Sequence, residues 1–109
     1  MVKRGARMNH YSIVLDKIKD QIIQKFNPSR IILFGSVAKG IWRNNSDIDL
    51  CIIKDTDNKR DLITNMYVEV ESEIPFDIVL YTNEEWNRCL GDKTAFAYHI
   101  NNTGVIIYG

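Results

Sequence analysis

The 109-residue chain has two cysteines, Cys51 and Cys89, and no paired Cys/His spacing. That excludes a disulfide-stapled scaffold and argues against a zinc site. A reduced, cytoplasmic setting is the expectation. Two prolines and six glycines exclude a collagen-like or Pro/Gly-rich disordered chain. No uninterrupted apolar run exceeds four residues. Neither a transmembrane helix nor a signal-peptide core is expected, and no membrane partner. Charge of one sign is also missing, since 14 Lys and Arg balance 14 Asp and Glu. A duplex-DNA binder that neutralises phosphates would be more basic, so none is expected. Near-neutral charge gives little colloidal repulsion, which fits a chain that has a partner.

What remains is ordinary globular composition, 45% hydrophobic and 26% charged. It suits one domain around one modest core. The basic start MVKRGAR has no pattern. Residues 1–10 are expected to be a flexible tail, with Met8 a second candidate initiator, and residues 11–109 the domain.

Tyr11, Leu15, Ile18, Ile22 and Phe26 recur at three- and four-residue steps and predict an amphipathic helix, stopped by Asn27 and Pro28. Residues 30–34 read as a buried strand, 36–40 as a short helical turn and 41–46 as a polar loop. A second strand is expected over 47–53. A helix marked by Leu62, Ile63, Met66, Tyr67 and Val70 follows, then a third strand over 76–81. Thr82 to Glu85 form a capping box opening a helix that Gly91 ends. Another helix is expected from about Lys93 to Asn101, with a last strand over 105–108. The order α-β-α-β-α-β-α-α-β predicts a compact α/β or α+β domain. Tyr67, Tyr81 and Phe96 fall on apolar faces and are expected in the core. His10 and His99 have no ligand spacing, and His99 is expected to be structural.

The informative segment is LFGSVAKGIWRNNSDIDLCII, residues 33–53. Gly35-Ser36 is followed, after ten residues, by Asp47-Ile48-Asp49. Side chains alternate along a strand, so Asp47 and Asp49 project from one face and Ile48, Leu50 and Ile52 from the other. Two such carboxylates repel, and burying them unpaired is costly. A divalent cation compensates, and oxygen-only ligands favour Mg²⁺ or Mn²⁺. The alternative is that Asp47 caps a turn and Asp49 is solvated. Gly35 would let a phosphate approach the backbone, where free N–H groups bind anions and the Ser36 hydroxyl adds a donor. The alternative there is a plain strand-to-helix turn with Ser36 as its N-cap. Gly35 and Gly40 have P-loop spacing, but Ile41 and Trp42 stand where Lys and Ser/Thr are required. The combined pattern would arise by chance in such a chain on the order of once in a thousand.

The pattern resembles the signature of the nucleotidyltransferase superfamily with the DNA polymerase β-like fold, and within it the minimal nucleotidyltransferases. The resemblance rests on Gly35, Ser36, Gly40, Ser46, Asp47, Asp49, Asp77 and the ending 104–108, and covers residues 11–108. It implies a small mixed β-sheet flanked by helices. It implies that Asp47 and Asp49 hold a pair of Mg²⁺ ions, or Mn²⁺, and that Asp77 supplies a third carboxylate from the next strand. Gly35 and Ser36 would bind the triphosphate. Many relatives carry Arg after Gly-Ser, where this chain has Val37. Lys39 and Arg43 then become candidates for the triphosphate charge, or are solvated surface residues. Trp42 would stack a base, contact a partner or pack on its own domain.

The implied reaction is attack of an acceptor hydroxyl on the α-phosphorus of a nucleoside triphosphate, with loss of pyrophosphate. Asp77 would help to deprotonate that hydroxyl. No acceptor-binding module is visible, so a partner or a homodimer is expected to supply the acceptor. The resemblance points to small helical HEPN-type toxins, with this chain as antitoxin, transferring AMP from ATP to a toxin tyrosine. Two further readings stand beside it. One is a non-catalytic antitoxin that masks its partner. The other is a small-molecule nucleotidyltransferase of the aminoglycoside-modifying type, working as a dimer or with a helical subunit.

Overall fold

The apolar stripe that opens the chain becomes helix α1 (His10–Phe26), with Val14, Ile18 and Ile22 buried. The computed structural model describes residues 10–40 and 47–109. The expected tail therefore lies outside the described residues except for His10, which begins α1, and so does the expected loop 41–46. Asn27 ends α1 in the left-handed region at φ 51°, its N–H donating to the Ile23 carbonyl at 3.1 Å. Then follow β1 (Arg30–Phe34), α2 (Gly35–Ala38), β2 (Ile48–Ile53), α3 (Lys59–Glu69), β3 (Phe76–Tyr81), α4 (Asn83–Cys89), α5 (Phe96–Thr103) and β4 (Val105–Tyr108). The order is the one expected. Helix α5 starts later than the sequence predicts. Asp92 explains this: its carboxylate accepts from the Thr94 N–H at 2.9 Å and the Thr94 hydroxyl at 2.7 Å. That local turn competes with a helical start.

The sheet order is β3-β2-β1-β4. Strand β1 lies antiparallel to β2 and to β4, while β2 and β3 are parallel. Helix α3 is the crossover that a parallel pair requires. The expected mixed sheet flanked by helices is thus present.

Alternation sorts the strands onto two faces. Ile31, Leu33, Ile48, Leu50, Ile52, Ile78 and Leu80 meet Val14, Ile18 and Ile22 of α1 and Met66 of α3. Ile32, Cys51 and Ile53 face the other way, against Trp86 of α4 and Ala97 and Ile100 of α5. The second cluster is the smaller. Asp49 shares the parity of Cys51 and Ile53, so it stands on this thinly covered face.

Two aromatics expected in the core are not there. Tyr67 is 42% exposed and Phe96 is 50% exposed. Helical spacing reports which face a residue shares, not how far the layer above extends. Phe96 sits on the first turn of α5, edge-on to Phe34 at 5.6 Å between centroids. Tyr81 is half-buried and His99 is exposed, stacked on Phe96.

Candidate active site

Strand β1 ends at Phe34, and the chain turns at Gly35 with φ +81°. A side chain is strongly disfavoured in that region, and glycine is not. Space also demands glycine here, because a Cβ would collide with the carboxylate of Asp49. Ser36 lies exposed inside the following turn, α2. It does not serve as the N-cap. Phe34 occupies the cap position and offers no side-chain hydrogen bond. Among the described residues no side chain caps this turn, so its opening N–H groups can meet water or an anion. Lys39 is exposed at the end of α2. Arg43, Trp42 and Ser46 lie outside the described residues.

The register of the sheet builds the acidic part of the site. Phe34 is paired with Asp49 across β1 and β2, and Asp49 with Asp77 across β2 and β3. Paired residues in neighbouring strands share a face. Asp49 and Asp77 thus project together beside the Gly35 turn. Asp47 immediately precedes β2 and is exposed, as is Asp77, while Asp49 is half-buried. The Asp49 carboxyl is pushed above its ordinary range, first by burial, then by the charges of Asp77 and Asp47. Burial and the neighbouring carboxylates both disfavour the charged form of Asp49.

As the side chains stand among the described residues, no three His, Cys, Asp or Glu groups converge into a closed metal cage. The donor set nonetheless fits a hard divalent cation. Its donors are carboxylate oxygens, they repel one another, and the exposure of Asp47 and Asp77 leaves them accessible to water and phosphate oxygens. Asp47, Asp49 and Asp77 are the residues that would hold it. Cavities open on the described surface beside α1 at Gln21 and Glu71, at Asp55 and Thr82, and at Ser29 and Trp86. None of them is lined by the three aspartates. The two cysteines are free, Cys51 buried in β2 two residues beyond Asp49 and Cys89 half-buried on α4.

A family model described as "Polymerase beta, Nucleotidyltransferase" matches residues 16–109. The chain belongs to this nucleotidyltransferase family. The match spans β1, the Gly35 turn, β2 and β3, so every element of the site lies within it. Among solved structures, the chain is similar to a crystal structure of a protein provisionally assigned as a nucleotidyltransferase. The two are 26% identical with a TM-score of 0.48, over 68% of this chain and 84% of that one. No curated protein matches the chain.

The chemistry of this nucleotidyltransferase is transfer of a nucleotidyl group, for which the family uses a nucleoside triphosphate and a divalent metal. No helix among the described residues is long and apolar enough to cross a membrane.

Sequence reasoning missed one residue that touches the site. The Tyr67 hydroxyl accepts a hydrogen bond from the Ile78 N–H at 2.7 Å, next to Asp77. Its position in an apolar stripe was the only signal, and that signal pointed to the core.

Proposed function

We propose that the chain transfers AMP from ATP to a hydroxyl, namely a tyrosine of a small helical HEPN-type partner, and acts as the antitoxin to that partner. The supporting observation is the pairing of Asp49 with Asp77 on one sheet face, against a Gly35 turn that leaves no room for a side chain. Divalent cations, when bound, supply the positive charge that neutralises the triphosphate and the oxygens exchanging at phosphorus. Gly35 and Ser36 present backbone N–H groups and a hydroxyl to the phosphates. Lys39 adds a positive charge at the end of the same turn. The acceptor oxygen forms a bond to the α-phosphorus as the bond from that phosphorus to the bridging oxygen breaks. Pyrophosphate departs, and the hydroxyl proton passes to the Asp77 carboxylate, which is exposed at the start of β3.

A protein acceptor is favoured over a small one by the exposure of the carboxylates. Among the described residues, Asp47 and Asp77 are exposed and do not line the cavities at Gln21, Asp55 or Ser29. A small acceptor needs an enclosing pocket. A folded partner brings its own surface and can present a tyrosine to exposed carboxylates.

The test is α-labelled ATP with Mg²⁺ in a lysate of the native host, comparing the wild type with Asp77→Asn. A labelled protein band seen with the wild type only is expected, with the label mapping to tyrosine in the partner. A labelled small molecule would replace this reading with the aminoglycoside-type one. No label on anything, with the partner still neutralised, would make the chain a masking antitoxin.

A further inference from the structure

Asp77 lies between two residues that are held by one side chain. The Tyr67 ring stacks on Phe76, with centroids 5.4 Å apart and planes 20° from parallel. The Tyr67 hydroxyl accepts from the N–H of Ile78 at 2.7 Å. Phe76 and Ile78 flank Asp77 in the chain.

This clamp sits where the sheet needs it. Strand β3 is at the sheet edge. Ile48 donates to the Pro75 carbonyl and Lys54 to the Tyr81 carbonyl, so the odd-numbered residues of β3 turn their backbone groups toward β2. The Ile78 N–H therefore points to the sheet edge, where no described strand accepts it. Edge-strand ends fray, and a carboxylate that must serve a reacting centre has to be held within about 0.5 Å.

Tyr67 is itself anchored. Lys25 Nζ donates to the Glu69 carbonyl at 2.7 Å, at the end of α3. The Gln21 amide donates to the Glu71 carbonyl and accepts from the Glu71 N–H, each at 2.8 Å. Helix α1 thus fixes the end of α3, and α3 reaches over the edge of β3 through Tyr67.

We propose that Tyr67 is a positioning residue for Asp77: by pinning Phe76 and Ile78 it holds the carboxylate between them in register with Asp49. The inference rests on the reading of Asp77 as a metal-holding carboxylate.

The test is Mn²⁺ binding in the presence of a non-reacting ATP analogue, followed by electron spin resonance of the free ion. Four variants are compared with the wild type: Tyr67→Phe, Phe76→Leu, Asp77→Asn and Val68→Ala. Tyr67→Phe keeps the ring and removes only the hydroxyl. It should bind Mn²⁺ about tenfold more weakly, the lower end for losing a contact that orients a ligand. The Ile78 amide should also exchange faster with deuterium, while Val68→Ala stays at wild type in both measurements. Phe76→Leu should weaken Mn²⁺ binding in the same direction, and it carries the test should Tyr67→Phe not fold. Wild-type Mn²⁺ affinity in Tyr67→Phe and Phe76→Leu, with Asp77→Asn weakened, would overturn the positioning role and leave the metal site standing. Wild-type affinity in Asp77→Asn would overturn the metal site, and the positioning role with it.

Discussion

The carboxylate of Asp49 occupies the place where a side chain on Gly35 would begin. Gly40 offers the comparison, since it has the same φ of +81° but no described atom within 4 Å of a built Cβ. Replacing either by alanine should cost about 1–2 kcal/mol for the left-handed backbone. Gly35→Ala should cost more, because Asp49 must also move. Urea unfolding of the two variants separates these effects. A Mn²⁺ titration should show weakened binding in Gly35→Ala.

The charge gathered at Asp49 should make the metal-free chain less stable than its Asn variant. Burial first, then Asp77 and Asp47, raise the Asp49 pKa above its ordinary 3.8. A carboxyl with a raised folded pKa loses stability as pH rises from the unfolded value through the folded one. Asp49→Asn should therefore melt higher than wild type at neutral pH. The difference should vanish once the solution is more acidic than the ordinary carboxylate range. Mg²⁺ should raise the melting temperature of the wild type and leave Asp49→Asn almost unchanged. Thermal unfolding across pH, with and without Mg²⁺, reads all three effects.

Helix α4 is opened by a reciprocal cap. The Thr82 hydroxyl accepts from the Glu85 N–H at 3.1 Å, and Glu85 accepts from the Thr82 N–H at 3.0 Å. Thr82→Ala should cost about 1 kcal/mol. The Thr82 N–H, then Lys59, hold the Glu85 carboxyl below its ordinary 4.5. Its contribution is present above that value and lost as pH falls through the lower folded pKa. Glu85→Gln should flatten this part of the acid limb in a melting series.

Cys51 should report unfolding. Its thiol is fully buried and pushed up to about 12 by desolvation. The reactive thiolate is then nearly absent at neutral pH. Cys89, half-exposed on α4, should react with a thiol reagent in the native chain, and Cys51 only on unfolding. Mass spectrometry of labelled peptides along a urea series checks the order.

Much of this protein was legible in one dimension. The steps of Ile18, Ile22 and Phe26, and the alternation of Ile48, Leu50 and Ile52, reveal helix and strand because those periods are local. Gly35-Ser36 and Asp47-Ile48-Asp49 announced the site for the same reason, each being a short run with its own chemistry. The misplaced start of α5 shows the limit even of local reading, since the Asp92–Thr94 turn overrode the helical pattern.

The sequence alone determined the elements, their order and the alternation that sets Asp49 opposite Ile48 and Leu50 in β2. Tertiary structure decided the rest. Nothing local states that β3 lies parallel to β2 with Asp77 opposite Asp49, because such register is set by hydrogen bonds between distant segments and by the helix that bridges them. Nor does spacing along α3 reveal that Tyr67 would stay outside the core and reach the Ile78 N–H. A helical period assigns a side chain to a face, while the edge of the sheet beneath it decides whether that side chain is covered or does the covering.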